Sequence, residues 1–133
     1  MSPKQKGELA EQICISELMK FEVVVAKPIG DNQRYDLIID LCGKLYKAQV
    51  KTGHLNRTRK VWHRCYSVRI NSKQYITKGY VNAIDVFLIY CPDNNEVWVT
   101  PIENATVNAC MAKYPLIQWI KDKGVPNKSN VVL

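Results

Sequence analysis

The segment from Ile84 to Tyr90 restricts the possible folds of this chain more than any other part of its sequence. Every residue in it except Asp85 is apolar, and a short, nearly continuous apolar run is typical of a strand that is buried on both faces of a sheet. Turn residues follow at positions 92–95, and the segment from Glu96 to Thr100 has the composition of a partner strand. We therefore predict a central strand and its neighbour inside a covered sheet.

The rest of the chain supplies further strands and helices around this centre. Residues 5–20 form a predicted amphipathic helix with Leu9 and Ile13 at i, i+4 spacing, and a glycine-containing turn at residues 42–44 predicts a hairpin. The residues that flank the apolar stripe of this helix are Ala10, Cys14 and Met19. The predicted strands are residues 21–26, 35–41, 45–52 and 61–70, with a basic loop at 53–60, and the later predicted helices are residues 103–113 and 115–123, divided by Pro115.

Length and element order together predict one domain. The 133 residues are enough for a single hydrophobic core. A helix followed by strands and then by helices is typical of an α/β domain with a mixed sheet flanked by helices. We predict that this domain spans residues 1–133, with its core in residues 5–113 and a C-terminal helix and tail in residues 115–133.

Several classes of protein are excluded by what the sequence lacks. No apolar run reaches the ~18 residues that a membrane helix needs, and the N-terminal lysines precede no apolar segment of the kind found in signal peptides. The five cysteines are odd in number, widely spaced and without a CxxC pair, so we expect reduced thiols rather than a zinc site. These features predict an intracellular, cytoplasmic protein.

Basic residues are concentrated in the middle third of the chain. The net charge is +7, and the segment between Asp40 and Asp85 contains ten lysines and arginines but no acidic residue. Such a surface attracts polyanions because binding releases counterions from phosphates, and interleaved aromatic residues such as Trp62 can pack against sugars or bases. This pattern favours a nucleic-acid partner; the alternative is a solvated basic face over ordinary core aromatics.

A candidate catalytic site is formed by Asp36 in the second predicted strand and by Gln49 and Lys51 in the third. Gln49 and Lys51 are two residues apart, so they point to the same face, and the hairpin brings Asp36 near them. A carboxylate and an amide oxygen can bind a hard ion such as Mg²⁺, and an adjacent lysine can orient water, which together suit phosphodiester hydrolysis. Glu8 or Glu11 could supply another acidic ligand, whereas the simplest alternative is a solvated Asp36–Lys51 pair.

The chain contains three short motifs around these residues: Lys6-Gly7-x-x-Ala10-Glu11, Arg34-Tyr35-Asp36-Leu37-Ile38 and Gln49-Val50-Lys51-Thr52. Together they resemble the motifs of the PD-(D/E)XK nuclease superfamily. The first is similar in spacing to archaeal Holliday-junction resolvases and favours Glu11 over Glu8. The second and third, together with the later segment from Tyr90 to Pro101, are most similar to the small branch that contains a group I intron homing endonuclease. The chain departs from the family pattern at Tyr35, which replaces a proline, and at Gln49, which replaces a glutamate.

The resemblance implies a restriction-endonuclease-like fold and a Mg²⁺-dependent DNA endonuclease, with Mn²⁺ as a substitute ion. Asp36, Gln49 and Glu11 would bind the metal, and Lys51 would orient the attacking water. Double-stranded or branched DNA is the expected substrate, and cleavage of both strands would need a homo-oligomer, a dimer or tetramer. A Holliday-junction resolvase and a non-catalytic DNA-binding relic stay as alternatives. The basic residues expected to contact DNA are Lys47, Arg57, Arg59, Lys60, Arg64 and Lys73.

Overall fold

The computed structural model describes residues 1–30, 33–55, 65–66, 83–104 and 112–124. Predictions that fall on residues 56–64, 67–82, 105–111 and 125–133 lie outside the described residues. No helix within the described ranges is long and apolar enough to cross a membrane. In chain order, the elements are α1 (Pro3–Lys20), β1 (Val24–Ala26), β2 (Leu37–Leu41), β3 (Lys44–Thr52), β4 (His54–Leu55), β5 (Cys65–Tyr66), β6 (Val86–Cys91), β7 (Glu96–Pro101), a 3₁₀ turn (Ile102–Asn104), β8 (Tyr114–Pro115) and α2 (Leu116–Lys123).

Six of the strands form one mixed sheet in the order β1-β2-β3-β6-β7-β8. Strands β1, β2 and β3 pair antiparallel, and so do β6, β7 and β8. The two groups join through β3 and β6, which pair parallel and therefore need a long connection between them. The two short strands β4 and β5 pair with each other as a separate sheet. The predicted α/β architecture with a mixed sheet is confirmed.

Helix α1 carries a buried stripe one residue away from the predicted one. Ala10, Cys14 and Leu18 are buried at i, i+4 and i+8, whereas Leu9 is 43% exposed and Met19 is 63% exposed. A stripe through Leu9 would continue into a glutamate two turns later, while the stripe through Ala10 stays apolar along the helix. The helix was therefore predicted correctly, but the face that it buries was not.

The end of α1 explains why the first strand is shorter than predicted. The Glu22 backbone N–H donates to the Met19 carbonyl at 2.9 Å. Glu22 has a φ of 60°, in the left-handed region that commonly ends a helix. The strand predicted for residues 21–26 was therefore wrong in its first part, and β1 begins at Val24. The second strand is also shorter than predicted and begins at Leu37.

A tight turn joins β2 to β3 and fixes which of their residues face each other. Cys42 and Gly43 have φ values of 55° and 86°, and a type I′ hairpin turn requires positive φ at both central residues. The Gly43 N–H donates to the Asp40 Oδ1 atom at 3.0 Å. The hairpin turn predicted at residues 42–44 is confirmed.

Each face of the sheet carries a hydrophobic cluster. Helices α1 and α2 share the first cluster, which includes Leu18, Leu37, Ala48 and Trp119. The Tyr46 and Trp119 rings meet edge to face, with 5.2 Å between their centroids. The second cluster, on the other face, consists of Ile84, Phe87, Ile89, Cys91, Trp98 and Ala112. Strand β6 is buried along its whole length, as the apolar run predicted.

The segment between β7 and α2 differs from the helix predicted for residues 103–113. A 3₁₀ turn at Ile102–Asn104 follows β7, and Tyr114–Pro115 forms β8 against β7. The Lys113 N–H donates to the Thr100 Oγ1 atom at 3.1 Å, which ties the chain to β7 before β8 begins. The predicted helix is therefore wrong at its last residues, whereas the helix predicted after Pro115 is confirmed as α2.

Candidate active site

Asp36 lies at the point where β2 and β3 separate. Its backbone N–H donates to the Ala48 carbonyl at 2.8 Å. Beyond this point β3 continues to Thr52 and stays paired with β6. On the edge of β3 that faces β2, the Val50 N–H donates to the Asp36 Oδ2 atom at 2.8 Å. The side chain of Asp36 thus takes the place that the β2 backbone leaves, and this fixes the carboxylate against β3.

Gln49 and Lys51 lie together on the face of β3 that is turned away from α1. Ala48 and Val50 belong to the hydrophobic cluster that α1 covers, and side chains alternate along a strand, so Gln49 and Lys51 point to the opposite face. Both side chains are half-buried. The structure therefore brings the three strand residues of the predicted site, Asp36, Gln49 and Lys51, to the same edge of the sheet.

Helix α1 brings Glu11 to this edge from the other face. Glu11 is half-buried and follows Ala10, which is fully packed against the sheet. Burial raises the pKa of the Glu11 carboxyl, and the nearby Asp36 charge raises it further. Glu8, one turn earlier, is exposed and has the smallest influence on Glu11. Of the two glutamates considered from the sequence, Glu11 is thus the one that lies toward Asp36.

The Asp36 carboxyl is held between opposing influences. Burial is the largest of them and raises its pKa. The hydrogen bond from Val50 lowers the pKa, and so do the positive charges of Lys51 and Lys27. The net shift is upward because burial outweighs these interactions, and a cation bound nearby would favour the ionised form.

Lys27 is a fourth charged side chain of this site, which we define as Glu11, Asp36, Gln49, Lys51 and Lys27, and the sequence did not point to it. It follows β1 directly, and β1 pairs with β2 so that Ala26 faces Ile38. Continuing this register places Lys27 opposite Leu37, the residue next to Asp36. The pairing register of β1 and β2 is the signal that locates Lys27. The sequence did not give this register, because the predicted ends of both strands differed from the observed ones.

The donor atoms of the site fit a hard divalent cation. Two carboxylates, on Glu11 and Asp36, and one amide oxygen, on Gln49, are ligands that Mg²⁺ accepts together with waters. Among the described residues, no group of three or more His, Cys, Asp or Glu side chains could hold a metal ion. A site with Gln49 as its third ligand has only two carboxylates, so it is consistent with that finding. The chemistry of this donor set supports the fit.

The other residues considered from the sequence are placed only in part. Lys47 is half-buried on β3, two residues before Gln49 and on the same face. The Lys47 N–H donates to the Asp85 Oδ2 atom at 2.8 Å, so Asp85 ties β3 to the start of β6. The basic residues predicted to contact DNA that lie outside the described residues are Arg57, Arg59, Lys60, Arg64 and Lys73.

Comparison with known proteins shows the family to which this chain belongs. A family model described as PD-(D/E)XK endonuclease matches residues 1–114. Among solved structures, a bacterial homing endonuclease, I-Ssp6803I, is similar with a TM-score of 0.67 and 26% sequence identity, over 97% of this chain and 98% of that chain. No curated protein sequence matches the chain. This chain therefore belongs to the PD-(D/E)XK endonuclease family, as its three motifs predicted, and is a nuclease.

Proposed function

We propose that this nuclease is a Mg²⁺-dependent endonuclease that hydrolyses DNA phosphodiester bonds at the site around Asp36. The observation that carries the proposal is the 2.8 Å hydrogen bond from Val50 to Asp36, which holds a carboxylate beside Gln49 and Lys51. Glu11 reaches the same place from α1, where the Asp36 charge acts on it. The proposal is supported by this placement of one carboxylate next to β2, an amide and a lysine on β3, and a second carboxylate on α1.

Each side chain has a role that follows from its position. Asp36, Glu11 and Gln49 would hold the Mg²⁺ ion, with Mn²⁺ as a substitute. When bound, the cation polarises a phosphoryl oxygen and lowers the pKa of a coordinated water. The Val50 hydrogen bond orients the Asp36 carboxylate in advance, so less ordering is needed when substrate arrives.

Lys51 is the residue that would act on the reacting atoms. Its side chain is half-buried on β3, on the same face as Gln49. Its positive charge partly offsets the rise that burial causes in the pKa of Asp36. An ammonium in this position can orient the attacking water by a hydrogen bond. It can also offset the negative charge that develops on the phosphate.

Site-specific cleavage of both DNA strands is the form of activity that we propose. The similar solved structure is that of a bacterial homing endonuclease, and the likeness extends over nearly all of both chains. One small site cuts one strand, so cutting both antiparallel strands requires two copies related by two-fold symmetry, in a dimer or tetramer. The basic segment between Asp40 and Asp85 supplies charge for the DNA backbone.

A cleavage assay on three DNA forms tests this proposal. The purified protein is incubated with supercoiled plasmid, linear duplex and a four-way junction, each with Mg²⁺, with Mn²⁺ and with a chelator. We expect cleavage of the plasmid and the linear duplex at discrete positions with either metal, and none with the chelator.

The other outcomes separate the alternatives. Cleavage confined to the four-way junction would show a structure-specific resolvase instead. Binding to all three forms without cleavage by any metal would show a DNA-binding relic. Cleavage that continues in the chelator would contradict the metal-dependent mechanism.

A further inference from the structure

Lys27 is a second lysine, besides Lys51, whose charge acts on the carboxylates of the site. The Glu11 pKa is raised by burial and by Asp36, and of the lysines it is Lys27 that lowers it. Asp36 is affected by both Lys51 and Lys27, with Lys51 the stronger of the two. Lys27 therefore acts on both carboxyls, whereas Lys51 acts on Asp36.

A groove on the surface of α1 leads to Lys27. It has a volume of about 400 Å³ and lies beside Glu11, along the N-terminal half of the helix. The residues that line it are Gln5, Glu8, Leu9, Glu11, Gln12 and Lys27. Lys27 is exposed in this groove, so its ammonium is accessible from the solvent side of the site.

The direction of β1 explains why Lys27 faces the helix. Val25 packs against the hydrophobic cluster beneath α1. Lys27 is two residues further on, and residues two apart on an extended chain lie on the same face. Its place in the groove with Glu11 and Gln12 agrees with this direction. Lys27 therefore reaches the site from the α1 side of the sheet, whereas Lys51 reaches it from the other side.

With a divalent cation bound, the two lysines would give the site a net positive charge. The two carboxylates of Glu11 and Asp36 carry two negative charges, which one divalent cation would balance. Lys27 and Lys51 then remain as two positive charges on either side of the neutralised centre. Successive phosphates of a DNA strand are anions in a row, and two flanking ammonium groups suit two of them.

We infer that Lys27 binds a DNA phosphate next to the scissile phosphate, on the α1 side of the site. This inference rests on the proposed function, because it takes the DNA strand to pass over Asp36. It makes Lys27 a positioning residue that sets the register of the strand, while Lys51 serves the scissile phosphate itself. The alternative is that Lys27 only balances the charge of Glu11 and Asp36 and does not meet DNA.

The salt dependence of DNA binding tests this inference without relying on cleavage. The reference is the Asp36→Asn protein, which we expect to bind DNA without cutting it, and the probe is the linear duplex of the cleavage assay. Lys27→Ala in this background should reduce the slope of log K against log salt by about 0.9, the value for one lost phosphate contact. Lys27→Arg should keep the slope, because it keeps the charge.

Lys20→Ala is the matched control. Lys20 lies at the far end of α1 and pairs with Glu17 at 2.8 Å, so its removal takes away one positive charge at a distance from the site. Its slope should equal that of the reference. Thermal unfolding of each variant checks that the fold is kept. Equal slopes for Lys27→Ala and Lys20→Ala would overturn the inference.

Cleavage by the Lys27→Ala variant of the otherwise unchanged protein gives a second readout. A phosphate contact predicts a higher DNA concentration for half-maximal cleavage. A pure charge-balancing role predicts instead a lower Mg²⁺ concentration for half-maximal cleavage, with the DNA dependence unchanged, and this result would also overturn the inference. The unsubstituted protein is the control for the proposed function. If it cuts no DNA, the proposed function fails, and this result is distinct from a failure of the inference about Lys27.

Discussion

The Asp36 carboxylate accepts the backbone N–H of Val50 at 2.8 Å, on the edge of β3 that the β2 backbone no longer covers. The backbone N–H of Asp36 donates to the Ala48 carbonyl at 2.8 Å. Asp36 therefore makes the last backbone hydrogen bond between the two strands, and its side chain makes the next bond to β3. A single residue thereby ends a strand pairing and places a carboxylate at the candidate active site. The site is thus a consequence of how the two strands separate.

The raised pKa of Asp36 predicts that this residue destabilises the metal-free protein at neutral pH. Burial is the main cause of the shift, so the folded state binds the proton more tightly than the unfolded chain does. The ionised carboxylate therefore costs stability, and the cost grows as pH rises from the unfolded pKa through the folded one. Asp36→Asn, whose amide oxygen can still accept the Val50 N–H, should raise the free energy of unfolding at neutral pH.

Thermal unfolding in a chelator, followed from acidic to neutral pH, measures this effect. The two proteins should have similar midpoints at a pH where Asp36 is protonated in both states, and they should diverge as pH rises. Added Mg²⁺ should stabilise the unsubstituted protein more than the variant. An Asp36→Asn protein that is less stable at neutral pH would show that the carboxylate is favourably paired, contrary to its raised pKa.

Gln49 should determine how much Mg²⁺ the nuclease needs. If its amide oxygen is the third ligand, the site has two carboxylates, and Gln49→Glu should lower the Mg²⁺ concentration for half-maximal cleavage because it adds a charge. Gln49→Leu has approximately the same size but supplies no oxygen, so it should raise that concentration sharply or stop cleavage. Titration of Mg²⁺ on folded variants measures both. Matching midpoints for all three proteins would remove Gln49 from the metal site.

The two glycines of α1 and of the β2–β3 turn should respond oppositely to the same substitution. Gly43 has a φ of 86° and no heavy atom within 4 Å of an added Cβ, so Gly43→Ala should lower the free energy of unfolding by about 1 to 2 kcal/mol through backbone strain alone. Gly7 lies within the helix with equally open surroundings, so Gly7→Ala should raise it by about 0.5 to 1 kcal/mol. Denaturant unfolding of both variants checks the signs, and a stabilising Gly43→Ala would contradict the turn geometry.

The fold was largely predictable because its strands and turns have strong local signals. The apolar run of β6 and the glycine turn at Gly43 fix the centre of the sheet and one hairpin. The start of β1 was missed because Glu22 adopts a left-handed conformation after α1. The end of the helix predicted for residues 103–113 was missed because a hydrogen bond from Lys113 to Thr100 holds the chain against β7. The error at Leu9 was avoidable, because the stripe through Leu9 and Ile13 leads to Glu17, whereas the stripe through Ala10 and Cys14 leads to Leu18.

The site was predictable to the extent that it follows from strand alternation. Gln49 and Lys51 share a face for that reason, and the hairpin brings Asp36 to them. Lys27 was missed because its place depends on pairing between β1 and β2, which are separated by a loop without periodic pattern. The bond from Val50 to Asp36 was equally invisible, since it requires knowing where β2 leaves β3.

The cysteines provide a test of burial on the α1 side of the site. Burial raises the pKa of the Cys14 thiol to about 12, and its side chain is fully buried, whereas Cys42 is exposed in the hairpin turn. Because the thiolate is the reactive form, a maleimide at neutral pH should modify Cys42 and leave Cys14 unmodified until denaturant is added. Peptide mass spectrometry locates the label. Equal labelling of the two cysteines in the native protein would show that α1 does not stay packed on the sheet.

Single-turnover cleavage by Asp36→Asn and by Asp40→Asn tests the central claim most directly. Asp40 lies in β2, four residues after Asp36, and its carboxylate accepts the Gly43 N–H at the other end of that strand. With Mg²⁺ and a DNA that the unsubstituted protein cuts, we expect Asp36→Asn to abolish cleavage while it keeps or strengthens DNA binding, and Asp40→Asn to cut at close to the original rate. Cleavage by folded Asp36→Asn at the rate of the unsubstituted protein would contradict the assignment of this site.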